Sequence, residues 1–300
     1  MAERYMEIES ISDLQGLYGA GKPKHPLITI VDLAKHQFTM PAESEAYRLG
    51  FYCIFCKNFL GTMRYGRSSY DFNEGSLVFT APGQVSQSSA AAAPEEGWGL
   101  FFHPDLLRGS SLEKKLGKYS FFNYEINEAL HISDEEKSIL FDCVRHIESE
   151  YSKGIDEHTQ ELILNNLEIL LNYGTRFYQR QFNTRATVSK DIVQQFESLL
   201  VNYFSDDSLI DNGLPSVGYF ASRLNVSPNY LCDILKRYTG KTTQEYIHLA
   251  LIDKAKRLIW DKNKTISEIA FSLGFEHPAH FTRLFKSKTG YAPTEYRHYN

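Results

Sequence analysis

VGYFASRLNVSPNYLCDILKRYTG (residues 217–240) and ISEIAFSLGFEHPAHFTRLFKSKTG (residues 266–290) are two copies of one pattern. Ala221 matches Ala270, Leu224 matches Leu273 and Asn225 matches Gly274, at an offset of 49. Lys236 matches Lys286 and Gly240 matches Gly290 at an offset of 50, so the second copy has one more residue in its turn. Self-similarity at this spacing marks a supersecondary unit used twice.

Each copy reads as a helix, a sharp turn and a second helix. A small residue, Ala221 or Ala270, lets two helices cross closely, and Asn225 or Gly274 tolerates the positive φ that a sharp turn demands. Ser227 is a good N-cap, Pro228 and Pro278 fall where a first-turn proline is accepted, and Gly240 and Gly290 end the two helices. Between the copies TQEYIHLALIDKAKRLIW, residues 243–260, reads as a joining helix. At about 1.5 Å per residue it spans roughly 27 Å, near the ~34 Å that separates successive major-groove faces of a duplex. One chain with this arrangement addresses two adjacent grooves.

The second copy, with ISEIAFSLGF, HFTRLFK and the closing TGYAPTEYR, in which Pro293, Tyr296 and Arg297 stand, resembles the AraC/XylS DNA-binding domain over residues 186–300. The resemblance implies a transcriptional regulator that reads double-stranded DNA, most often as an activator that contacts RNA polymerase, with repression also open. It implies no cofactor and no catalytic residues.

In a recognition helix the exposed positions of the first two turns meet base edges, while the apolar ones pack on the partner helix. In the second copy Phe281, Leu284 and Phe285 are expected inside, leaving Ala279, His280, Thr282, Arg283 and Lys286 outside. The resemblance makes Arg283 a base contact, and arginine bonds guanine in bidentate fashion; Ala279 and His280 are base-edge candidates beside it. In the first copy Leu231, Ile234 and Leu235 face inward, and the family's base-contacting positions fall on Asn229, Cys232 and Asp233. Asp233 departs from the polar or basic residue usual there: a carboxylate is repelled by phosphate, yet it accepts from cytosine N4. Ser227, Lys236, Arg237, Thr282 and Lys286 are the phosphate candidates. Leu251 also departs, standing where the family has arginine.

Residues 25–103 alternate β-rich runs, LITIVDL, YRLGFYCIFCKNF, MRYGRSSYDF, GSLVFTAP and WGLFFH, with turn signals. Beyond Ser133 the period changes: Ile139, Leu140, Val144 and Ile147 follow a capping-box pattern of Ser133 and Glu136. A second helix in residues 158–182 has Leu162, Ile163, Leu167, Ile169, Leu170 and Leu171 on more than one face; it is either a helix buried in its own domain or a dimerisation helix. The polar, unpatterned NTRATVSK reads as a linker. The expected class is therefore α+β: residues 1–182 a β-barrel with helical extension, 183–190 the linker, and 191–300 an all-α domain with two helix-turn-helix motifs. FNEGSLVFTAPGQVSQ and GWGLFFHPDLL are similar to the cupin-like sensor half of the same family, which implies a domain for a small-molecule effector or for homodimer formation.

A metal-bearing barrel needs two or three histidines with a carboxylate at its mouth, and no histidine lies between His36 and His103. No metal site is expected. Cys53 and Cys56 are three apart, hence on opposite faces of a strand, and with Cys143 and Cys232 show no disulfide framework. Tyr52, Phe55 and Tyr65 either line a ligand pocket or fill a small barrel. No triad, phosphate loop or paired-carboxylate motif argues for an enzyme. The net charge is −5, yet residues 186–300 hold 14 basic and 12 acidic side chains against 18 and 25 before them. The difference points toward a nucleic-acid partner for the C-terminal region, weakly, because binding needs a basic face and not a basic total. With no stretch of 18 apolar residues and a charged start, no membrane association and a cytoplasmic location are expected.

Overall fold

A computed structural model describes residues 5–39, 46–58, 75–87, 96–125, 128–205, 209 and 213–298. The chain divides into two compact units, Met1–Arg185 and Ala186–Asn300.

The first unit is a mixed helix and sheet structure. Strands β1 (Tyr5–Ile8), β2 (Ile28–Asp32), β3 (Ala46–Leu49), β4 (Tyr52–Asn58), β5 (Gly75–Thr80), β6 (Val85–Gln87), β7 (Glu96–Phe102) and β8 (Leu130–Ile132) form two sheets. One has the order β1-β3-β6, the other β2-β7-β4-β5-β8. Among the described residues the sheets share no hydrogen-bonded edge and close no barrel, so the cupin-like barrel expected from the sequence is not confirmed by these strands. The short-strand pattern carried the β content correctly; closure depends on edge pairing, which alternation does not encode.

The larger sheet is covered on both faces. On its inner face Val31, Cys53 and Phe101 meet Ile8, Leu49 and the apolar side of α1 (Ile11–Tyr18). On the opposite face Phe79 packs on Phe121, with ring centroids 4.2 Å apart, and on Tyr178 of α4 (Thr159–Thr184). Phe121 follows α2 (Ser111–Lys115) in a short 3₁₀ turn. Gly174 brings α4 close: a Cβ there would lie 3.0 Å from the Phe79 ring. Helix α3 (Asp134–Ser152) starts at the expected capping box, Ser133 accepting from Glu136 N and Glu136 from Ser133 N. Its Tyr151 hydroxyl accepts from Ile30 N at 3.2 Å, at β2 on the sheet's end.

The second unit begins with α5 (Ala186–Ser205). Residues 183–190, expected as an unpatterned linker, are helical on either side of Arg185, and α5 starts five residues before the expected Asp191. NTRATVSK contains no glycine or proline, and Ser189 is buried, so polarity alone was a poor reason to read it as a linker. There follow α6 (Val217–Arg223), α7 (Pro228–Thr239), α8 (Thr243–Ile259), α9 (Ile266–Ser272), α10 (Pro278–Thr289) and α11 (Pro293–His298).

Candidate nucleic-acid interface

Helices α6 and α7, and again α9 and α10, form two helix-turn-helix motifs whose hydrogen bonds repeat as their residues do. Val226 N donates to Ala221 O at 3.1 Å and Phe275 N to Ala270 O at 3.0 Å; Gly240 N donates to Lys236 O and Gly290 N to Lys286 O. Both alanines are buried, where a larger side chain would force the crossing helices apart. Asn225 is the only described non-glycine residue with positive φ, 55°, and Gly274 takes 83° at the equivalent place. Ser227 accepts from Tyr230 N at 3.2 Å and caps α7.

Each motif has its own aromatic and aliphatic core. Phe220 packs edge-on against Phe196 of α5, with Leu231, Ile234 and Leu235 buried as expected. In the second motif Phe281 packs between Phe275 and Phe285, its ring tilted to both, and Phe285 meets Tyr296 of α11. Leu284, expected inside, is only half-buried. The closing signature is a clasp: Arg297 Nε donates to Ile259 O at 2.8 Å and its Nη2 to Lys264 O at 2.9 Å, tying α11 to the end of α8 and the loop that enters α9. Between the motifs α8 spans 17 residues, about 25 Å. It is fixed by a Thr242/Glu245 capping box and by Lys254 Nζ donating to Phe204 O. Leu251 is buried in α8, so an aliphatic side chain at that position fills core where an arginine would need a polar partner.

The predicted contact residues separate cleanly in α10. Ala279, His280, Arg283 and Lys286 are exposed, and 279, 283 and 286 form one stripe opposite Phe281 and Phe285. Thr282 is half-buried, its hydroxyl donating to Pro278 O at 3.1 Å. In α7, Lys236 and Arg237 are exposed in the last turn, whereas Asn229, Cys232 and Asp233 are half-buried. Ser227 is 2 % exposed, its side chain withdrawn from the surface into the cap. The structure adds His277, which sequence reasoning passed over. It stands at the N-cap of α10 with no side-chain capping bond, its ring edge-on to His280 at 5.5 Å. Its place just before Pro278 was the available signal.

Of the sequence's ligand-pocket candidates, Tyr52 and Phe55 are not brought together. Tyr52 stacks on Phe102 at 5.1 Å and meets Phe122 edge-on, while Phe55 turns to the inner core against Phe101. Three positions apart in a strand, they point to opposite faces; Tyr65 lies outside the described residues. Cys53 and Cys56 are likewise split between the faces, and burial pushes both thiols up, Cys56 to about 12, so both stay neutral and unreactive. Among the described residues no cluster of His, Cys, Asp or Glu is arranged to hold a metal ion. No helix among them is long and apolar enough to cross a membrane.

Residues 220–299 match the family model of a helix-turn-helix domain. The chain is 30% identical over 112 residues to YobQ, an uncharacterised HTH-type transcriptional regulator of Bacillus subtilis, covering 33% of this chain and 46% of that protein. It is 36% identical over 77 residues to the HTH-type transcriptional activator RhaS of Escherichia fergusonii, covering 26% of this chain and 28% of that one. Residues 220–299 are an AraC/XylS-type module. The chain spans less than half the length of these curated relatives. Among solved structures, the C-terminal domain of AraT, a response regulator from Geobacillus stearothermophilus, is 27% identical, with 36% of this chain and 85% of that one aligned at a TM-score of 0.32. In this AraC/XylS-type module the second motif carries the uninterrupted exposed stripe, and the first has its candidate readers half-sunk.

Proposed function

We propose that the chain is a sequence-specific transcriptional regulator whose two helix-turn-helix motifs read adjacent major grooves of double-stranded DNA. The observation that carries this is the stripe of Ala279, Arg283 and Lys286 on α10, held outward by the buried Phe281 and Phe285. An arginine presented from the first two turns of such a helix suits a guanine O6/N7 pair, and Lys286 a phosphate. Lys236 and Arg237 at the end of α7 give the first motif phosphate anchors, and His277 and His280 offer imidazole donors at the start of α10. Asn229, Cys232 and Asp233 make the first motif the weaker reader.

An activator is the reading favoured by the similarity to the transcriptional activator RhaS, and contact with RNA polymerase is the part of that reading the DNA-bound chain would supply. The first unit would then carry the control, through an effector or through a second copy of the chain. Leu162 and Ile169, seven residues apart on α4 and 43 and 47 % exposed, support the second copy.

Selection of bound duplexes from a random pool, followed by footprinting, tests the proposal. A bipartite site should emerge, with the half facing α10 better defined. A pool that shows no enrichment above salt-dependent background binding would sink it.

A further inference from the structure

The second motif departs from the first where its recognition helix begins. At the offset of 50 that relates α7 to α10, Ser227 corresponds to His277 and Tyr230 to His280. Ser227 is buried and caps α7, and Tyr230 is buried too. His277 and His280 are both exposed, and His277 makes no capping bond. The second motif has thus given up a stabilising cap and a buried ring, and it carries two surface imidazoles in their place.

The two rings stand edge-on with centroids 5.5 Å apart, close enough for each to donate to a different oxygen of one phosphate. Neither ring has a hydrogen-bond partner among the described residues. Uncapped, the first turn of α10 also keeps backbone N–H groups that favour an anion. Along the chain the pair stands between Glu276 and Arg283, both exposed. The charged groups of the helices packed on α10 are engaged elsewhere: Glu268 of α9 with Thr265, Glu295 of α11 with Ala292 N, and Arg297 with the Ile259 and Lys264 carbonyls. Tyr296 packs on Phe285, and His298 closes α11. At the other end of α10, Lys288 acts on Glu245 and His248 of α8.

We propose that His277 and His280 together hold one backbone phosphate of duplex DNA at the start of the second recognition helix, with imidazolium as the bonding form. A phosphate beside an imidazole favours the charged ring, and histidine changes charge between about pH 5 and 8. Binding then takes up protons, so affinity is high at the acid end of that range and falls as pH rises. The clamp rests on the reading of the second motif as a DNA-binding surface; it does not need sequence selection.

Fluorescence titrations of the full chain at constant salt test this on the most enriched duplex of the random pool and on one of unrelated sequence. From about pH 6 to about pH 8 the affinity for both should fall about tenfold, what a one-decade change in one imidazole's proton affinity supplies. His277→Ser restores the residue that caps the first motif, and His280→Gln keeps an N–H donor that does not titrate. The double variant, its fold checked by a thermal melt, should show less than about a twofold fall, whereas Arg283→Ala, with both histidines in place, should keep the full one. The proposal is overturned if affinity is flat across the range, if the double variant keeps the natural dependence, or if Arg283→Ala abolishes it. A dependence confined to the enriched duplex also overturns it, because the rings would then read bases. A histidine-dependent profile shared by all duplexes, with no enrichment, keeps the clamp and removes the sequence-specific reading. Enrichment with a flat profile does the reverse, and a chain that binds neither duplex at either pH loses both.

Discussion

Asn225 and Gly274, 49 positions apart, hold the same left-handed backbone at the turns of the two motifs, with φ of 55° and 83°. The two are not equally constrained. At Gly274 a Cβ would lie 2.9 Å from the carbonyl carbon of Gly213 and 3.0 Å from Leu209 O, so space as well as φ demands glycine. Gly274→Ala should destabilise the second unit by about 2–4 kcal/mol, and Asn225→Gly should change it by no more than ~0.5 kcal/mol. Thermal melts of the two variants check this, and equal effects would show that the close approach at Gly274 is not real.

Arg180 grips Glu136 with two bonds, Nε to Oε1 and Nη2 to Oε2, each 2.9 Å, and also donates to His131 O. The carboxylate serves the α3 capping box as well, so one arginine links α4, the start of α3 and β8. Both side chains are mostly buried, and removing one partner strands the other charge. Arg180→Ala is expected to cost about 2–3 kcal/mol, discounted for the residual exposure, and Arg180→Met with Glu136→Gln should recover part of it. Chemical denaturation followed by circular dichroism gives the comparison. No recovery in the double variant would contradict the stranded-charge account.

The second unit was legible in the sequence because its signals are local and doubled. Ala, the turn residue, the first-turn proline and the terminal glycine each act within a few residues, and their recurrence removed the ambiguity of a single motif. The capping box of Ser133 and Glu136 was legible for the same reason. The first unit was less so. Tyr52 and Phe55 share a strand but not a face, and only the pairing partners Phe102 and Phe101 reveal which core each enters. Arg185 escaped notice because a helix boundary without glycine or proline leaves no mark.

Backbone and side-chain bonds from Thr265 hold the Glu268 carboxyl below the usual carboxylate range, and Thr242 does the same for Glu245. A group whose folded pKa is depressed adds stability that is fully present above its unfolded pKa, about 4.3, and that is lost as pH falls through the folded value. Glutamine keeps the capping geometry without the titration. The Glu245→Gln, Glu268→Gln variant should therefore lose less stability than the natural chain as pH drops below about 4.5, and melts across that window measure it. Parallel curves would remove these two boxes from the acid sensitivity.

Arg283 and Lys286 sit one turn apart on the same exposed stripe of α10 but are expected to fail differently when replaced. A guanidinium that bonds two atoms of one base contributes only when that base is present, so Arg283→Ala should weaken the selected site by about 1–3 kcal/mol and leave mismatched sites nearly unchanged. An ammonium near phosphate meets the same charge at every sequence. Lys286→Ala should weaken all duplexes to a similar degree and lower the slope of log K against log salt by about 1. Binding titrations at several salt concentrations, on the selected duplex and on one with a single changed base, separate the two effects. If Arg283→Ala weakens both duplexes equally and flattens the salt slope as Lys286→Ala does, Arg283 is a phosphate contact and sequence reading passes to Ala279, His280 and the residues of α7.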